Sequence, residues 1–196
     1  VPRGFAILGI LVMNVQLFAM VGAAYFNPTA FGDLSGVNHW VWRLSHLFAD
    51  QKFLTIFSIL FGAGIVLMTE RVEARGGSVA RLHYRRVLGL LVIGLLHAYL
   101  LWYGDILVGY SLAALLVFLL RRRNPRTLVI LGLIALAIPS VYSVMVNWSM
   151  PYWPPESLEG MMEFWAPDAE HVRAEVAAYQ GSWLEQMKFR VPGAAF

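Results

Sequence analysis

Long apolar runs, each cut off by polar or arginine-rich stretches, organise the chain. A transmembrane helix rises about 1.5 Å per residue and must cross about 30 Å of hydrocarbon, so it needs roughly 17–25 apolar residues. Residues 5–26, 53–69 and 127–148 meet that length. Residues 87–120 are also apolar, apart from His97 and the Gly104-Asp105 break. As one helix they would extend about 51 Å, far more than a bilayer needs. A hairpin turning at Gly104 and Asp105 instead predicts two spans, 87–103 and 106–120. The expected fold class is therefore all-α, a polytopic transmembrane helix bundle of about five spans within residues 1–148. Pro139 predicts a kink in the last of them.

The polar stretches differ in character. Residues 27–52 hold Trp40, Trp42, Leu44, Leu47 and Phe48 among polar neighbours, which predicts a helix lying at the membrane interface. Residues 149–196 carry Pro151, Pro154, Pro155 and Pro167 and are rich in Glu, with a short amphipathic helix expected over 168–179. They are expected to form an extracytoplasmic segment. Residues 184–196 resemble the approach to another span, so a further C-terminal membrane domain is expected, and the chain is taken as a piece of a longer protein.

Charge orients the bundle. Arg3, Arg71, Arg75, Arg81, Arg85, Arg86, Arg121, Arg122, Arg123 and Arg126 lie at the ends of apolar runs. Cytoplasmic loops carry excess Arg and Lys, so these residues and the N-terminus are assigned to the cytoplasm. Only Glu70 and Glu73 share that side, whereas the other ten acids face out or sit at the hairpin turn. A pI near 9.4 is thus a topology signal and no argument for a nucleic-acid partner. Hydrophobic residues make up 59% of the chain and charged ones 14%, both far from the values of soluble domains. The chain has no cysteine, which excludes disulfides and thiolate chemistry.

Polar groups inside spans are costly and mark function by default. Asn14 lies eleven residues from Arg3, and His97 eleven from Arg86. Both then sit about 16 Å from the arginine level, near the bilayer middle. Asp105 lies higher, recessed below the outer surface, which predicts a water-filled pocket open to the outside. His97, Asp105 and Asn14 are the candidate catalytic group. A neutral imidazole serves as general base when a carboxylate orients it. The plainer alternatives are interhelical hydrogen bonding for His97 and Asn14 and a helix N-cap for Asp105. His46 and Asp50, spaced i,i+4, are expected on one helix face at the rim. Lys52 and Trp102 complete the expected substrate-binding set, although Trp102 also fits an interfacial aromatic belt. Gly62, Ala63 and Gly64 read as a close helix contact. No metal site is expected.

Several stretches, in order, resemble the bacterial YeiB-like inner-membrane family. They are residues 3–10 with Asn14, Asp50-Gln51-Lys52-Phe53, residues 57–64, Arg85-Arg86, residues 94–97 and residues 102–107. The resemblance implies a multi-pass protein of a bacterial plasma membrane, with a second hydrophobic domain following. The first half is also similar to the transmembrane acyltransferase superfamily, which includes the lysosomal heparan-glucosaminide acetyltransferase and bacterial sugar O-acetyltransferases. Here Arg3 is followed by ten residues and then Asn14, where the bacterial enzymes carry a catalytic histidine. The lysosomal enzyme is similar in having an asparagine there, and at its own histidine position this chain has Tyr25. Neither catalytic histidine carries over, which leaves His97.

The functional expectation is acyl transfer from a cytoplasmic donor, with acyl-CoA as the candidate, to an envelope acceptor reached from outside. The expected partners are the bilayer, a lipid-linked or glycan substrate, and a second copy of the chain. A transporter or permease component is the alternative, and a non-catalytic scaffold is the third reading.

Overall fold

A computed structural model describes residues 2–193, which form helices and turns with no strand. Among them are nine α-helices: α1 (Pro2–Ala19), α2 (Gly36–Phe48), α3 (Lys52–Ala74), α4 (Val79–Leu96), α5 (Leu107–Leu120), α6 (Pro125–Ser149), α7 (Pro155–Trp165), α8 (Ala169–Gln180) and α9 (Trp183–Gly193). Four helical stretches are long and apolar enough to cross a membrane: Pro2–Ala19, Gly36–Ala74, Val79–Leu101 and Pro125–Tyr152. The apolar α5 is shorter.

Local chemistry sets the boundaries. α3 runs on past Thr69 and closes in a Schellman motif, with Gly76 N–H donating to Glu73 O and Gly77 N–H to Val72 O. That geometry needs Gly76 at φ 66°, which only glycine adopts freely. α6 starts where Asn124 accepts from the Thr127 amide at 2.8 Å and Pro125 occupies the first helical position. It runs through Pro139 to Ser149 with no buried residue, as a helix solvated by lipid would. Asp168 accepts from the Glu170 and His171 amides and caps α8 close to where its helix was expected.

The core lies where α3, α4 and α5 meet, around Ile65, Val87 and Ala114. α4 and α5 pack most closely, because a Cβ at Gly94 would lie 2.8 Å from the Val108 backbone nitrogen. Gly9 of α1 lies under the Phe53 ring of α3. The expected glycine contact is placed differently. Gly62 meets nothing, and Gly64 makes room for the Arg3 guanidinium, which donates to Leu60 O at 2.9 Å.

The bundle has two chemically distinct ends. At one, Glu73 of α3 meets Arg122 at 2.6 Å and Arg121 at 3.9 Å, beyond the end of α5. His83 of α4 stacks there on Phe118 of α5, with centroids 4.1 Å apart. The start of α4 and the end of α5 thus share one end, which is the hairpin. At the other end the acidic C-terminal segment folds over the bundle. Gly22 N–H donates to Glu175 at 2.8 Å, and Asn27 Nδ2 to Trp165 O at 3.0 Å.

Three boundaries differ from expectation. α1 stops at Ala19, and residues beyond it turn through a 3-10 segment, Gly22–Tyr25. Val21 and Ala24 are buried there, so the apolar run continues as a packed turn instead of a helix. α7 forms across Glu156 and Glu159, since Pro155 takes the first helical position. α9 folds back on the bundle, while residues 194–196 of the expected approach to a further span lie outside the described residues.

Candidate functional site

The site is built at the hairpin turn. α4 loses its regular register at His97, and His97–Leu101 form a single π-helical turn, closed by Trp102 N–H donating to His97 O at 2.8 Å. Such widened turns recur at functional sites. The turn leaves carbonyls without partners in the helix, and α9 supplies donors to them. Trp183 Nε1 donates to Leu100 O at 3.1 Å, and the Arg190 guanidinium donates to Leu101 O.

Asp105 then bridges the turn. One carboxylate oxygen lies 2.9 Å from His97 Nδ1, and the other accepts from the Val108 amide at 2.8 Å. Asp105 thus accepts from a first-turn amide of α5 from just before the N-cap residue, Ile106, and contacts His97 with its other oxygen. That side chain is 0% exposed, whereas the His97 side chain is 32% exposed. With the imidazole proton on Nδ1 the ring donates to Asp105, and the Nε2 lone pair is then available.

Trp102 covers this pair from one side. Its ring lies 6.3 Å from that of His97, edge-on, and 4.7 Å from Phe18. It folds over Gly104, where any Cβ would strike the indole. Its Nε1 is buried without a partner.

Beside Trp102 lies a cavity of about 310 Å³. Asn14, Tyr25, Asp50, Gln51, Trp102 and Tyr103 contribute its polar and aromatic wall. The Asn14 side chain belongs to this wall and lies between Met13 and Leu17 on α1. Gln51 takes a left-handed φ of 59°, unusual for a residue with a side chain, at the junction of α2 and α3. Such strain persists where surrounding structure holds it, and it clusters at ligand sites.

The structure therefore separates the expected group. Asn14, Asp50 and Trp102 line the cavity, whereas His97 and Asp105 stand one ring away across Trp102. His46 and Lys52 are not in the wall. α2 ends at Phe48, so Asp50 lies beyond the helix and off the face that carries His46. His46 instead bonds Trp42 O through Nδ1 at 2.8 Å, and Lys52 donates to His46 O at 3.1 Å. Among the described residues no His, Asp and Glu group is arranged to hold a metal ion.

Tyr25, Gln51 and Tyr103, which line the cavity, were not legible as site residues. Tyr103 reaches the cavity from the hairpin turn, with its hydroxyl close to Gly22. Outside the spans, burial raises Tyr179 to about 12, assisted by the nearby Tyr103 and Glu175. The C-terminal segment is thus hydrogen-bonded over this end of the bundle as a lid.

An all-α fold with four membrane-length apolar helical stretches, a shorter fifth, and a polar group buried at a broken helix defines a multi-span helical membrane protein. In sequence it is YeiB-like. It is 38% identical to an uncharacterized protein, YeiB, of Escherichia coli strain K12, over 63% of this chain and 30% of the relative. It is 36% identical to the uncharacterized YxaH of Bacillus subtilis strain 168, over 66% of this chain and 33% of the relative. A third relative, an uncharacterized 39.9 kDa protein from Bacillus acidopullulyticus, is 30% identical over 76% of this chain and 40% of its own length. The chain spans about a third of the length of these curated relatives. It matches no protein-family profile and no solved structure.

Proposed function

We propose that this chain carries a membrane-embedded acyl-transfer site, in a bacterial plasma membrane, with His97 as general base and Asp105 as its positioning carboxylate. The supporting observation is the 2.9 Å contact of the fully buried Asp105 carboxylate with His97 Nδ1. The acceptor is an envelope hydroxyl compound, and the donor an acyl thioester such as acyl-CoA. His97 Nε2 takes the hydroxyl proton as the oxygen attacks the thioester carbonyl. A C–O bond forms, the tetrahedral intermediate collapses with cleavage of the C–S bond, and the imidazolium returns its proton to the leaving thiolate. Asn14 lines the adjacent cavity on the far side of Trp102, where its amide can hold a polar part of the acceptor.

His97→Ala removes the base and leaves the α4–α5 contact at Gly94 untouched. Acylation of envelope glycans, measured by mass spectrometry, should fall about 100-fold or more. Unchanged acylation at equal protein level would sink the assignment. The broken helix at residues 97–101 favours one other reading, a proton-coupled transporter, because such breaks bind coupling ions at mid-membrane. Proton-coupled uptake by the protein in liposomes, lost in the same variant, would select that reading.

A further inference from the structure

A second cavity, of about 410 Å³, lies at the arginine-bearing end, away from His97. Its wall joins Arg3 of α1, Gly64 of α3, His83 and Arg86 of α4, and an apolar stretch that includes Leu90 and Ile93. The polar part carries unspent binding capacity. Neither Arg3 nor Arg86 forms an ion pair among the described residues, whereas the nearby Glu73 is engaged by Arg121 and Arg122. His83 is 2% exposed, and its Nε2 has no hydrogen-bond partner. Leaving a buried polar atom unpaired costs about 1–3 kcal/mol, and two arginines without an ion-pair partner beside it call for an anion. Residue 64 also has to be small, because a Cβ there would collide with the Arg3 guanidinium.

The apolar part shows what kind of acceptor fits. Arg86, Leu90 and Ile93 follow one another along a single face of α4, about 10 Å from first to last. Ile93 is 59% exposed at the far end, so the cavity opens sideways along the helix. An anion alone would leave that stretch unused. A phosphate attached to an apolar chain fills both halves, and arginines favour phosphate through paired, charge-assisted hydrogen bonds.

We propose that this cavity binds the phosphate of an amphiphile between Arg3 and Arg86, with the His83 ring beside the same group and the apolar chain lying along Leu90 and Ile93. Two sources share that chemistry: an anionic phospholipid of the bilayer and the phosphorylated carrier of a long-chain acyl thioester. The site stands independently of the acyl-transfer chemistry at His97.

Native mass spectrometry of the purified protein in detergent tests it, with dioleoyl-phosphatidylglycerol, dioleoyl-phosphatidylcholine and palmitoyl-CoA as probes. Retention of phosphatidylglycerol over phosphatidylcholine assigns the site to a membrane lipid. Retention of palmitoyl-CoA alone assigns it to the carrier. In either case Arg3→Gln and Arg86→Gln should each weaken retention about fivefold, and Arg126→Gln should leave it unchanged. Gly64→Val, which displaces the Arg3 head without removing any charge, should weaken it as well. His83→Phe keeps an aromatic ring for the stack on Phe118 and should lower retention without changing the elution volume of the protein. Binding of both phospholipids to the same extent, retention of none of the three probes, or binding indifferent to Arg3, Arg86 and Gly64 would overturn the proposal.

Discussion

At Asp105 one carboxylate oxygen serves His97 and the other serves the Val108 amide, so two substitutions divide the roles. Asp105→Asn keeps an acceptor for the amide and should leave stability within about 0.5 kcal/mol, since Asn caps helices as well as Asp. Its NH₂ group would face Nδ1, reverse the tautomer and remove the base, lowering acyl transfer about 100-fold. Asp105→Ala should lose activity similarly and cost about 1 kcal/mol of stability besides. Denaturant unfolding and the acylation assay read the two effects separately. Equal stability losses in both variants would mean that the carboxylate charge, and not the cap, holds the turn. His97 and Asp105 were legible because polar groups are rare in apolar runs. Gln51 was not, because its significance lies in a backbone angle.

Close helix contacts at glycine depend on which face each glycine presents. Gly94→Ala should destabilise the protein by about 1–3 kcal/mol, because the added methyl meets Val108 backbone that cannot swing aside. Gly62→Ala faces open space and should be neutral or stabilising by up to about 1 kcal/mol. Unfolding of both variants in mixed micelles checks the contrast, and equal effects would contradict the α4–α5 packing. In the sequence Gly62 and Gly64 form the more obvious pair. Spacing within one helix, however, does not say which neighbour lies across from it. Apolarity likewise did not separate the α1 helix from the buried turn at Val21 and Ala24. α2 shows the same limit in another form: the His46 and Asp50 spacing assumed a helix that ends at Phe48.

The whole bundle is polarised, with unpaired and paired arginines at one end and the C-terminal segment, acidic in α7 and α8, over the other. The chain lacks cysteine, so a single introduced thiol reports its own side of the membrane. Arg85→Cys and Arg122→Cys should both label from one face, and Glu156→Cys from the opposite face. Labelling of positions 85 and 122 from opposite faces would break the hairpin, and the His97–Asp105 pair with it. This polarity was readable from charge signs along the chain, because lipid forces charged groups to helix ends.

Lengths of apolar runs, the hairpin break and the charged ends follow from local composition, since each obeys a solvent boundary that acts residue by residue. The cavities do not. Their walls bring together Asn14 with Tyr103 and Arg3 with Arg86, and the lid joins Gly22 to Glu175. Hydrogen bonds and voids between segments so far apart depend on how helices cross and where turns end. Periodicity within a single helix contains no term for either, so only the folded chain decides which polar groups meet.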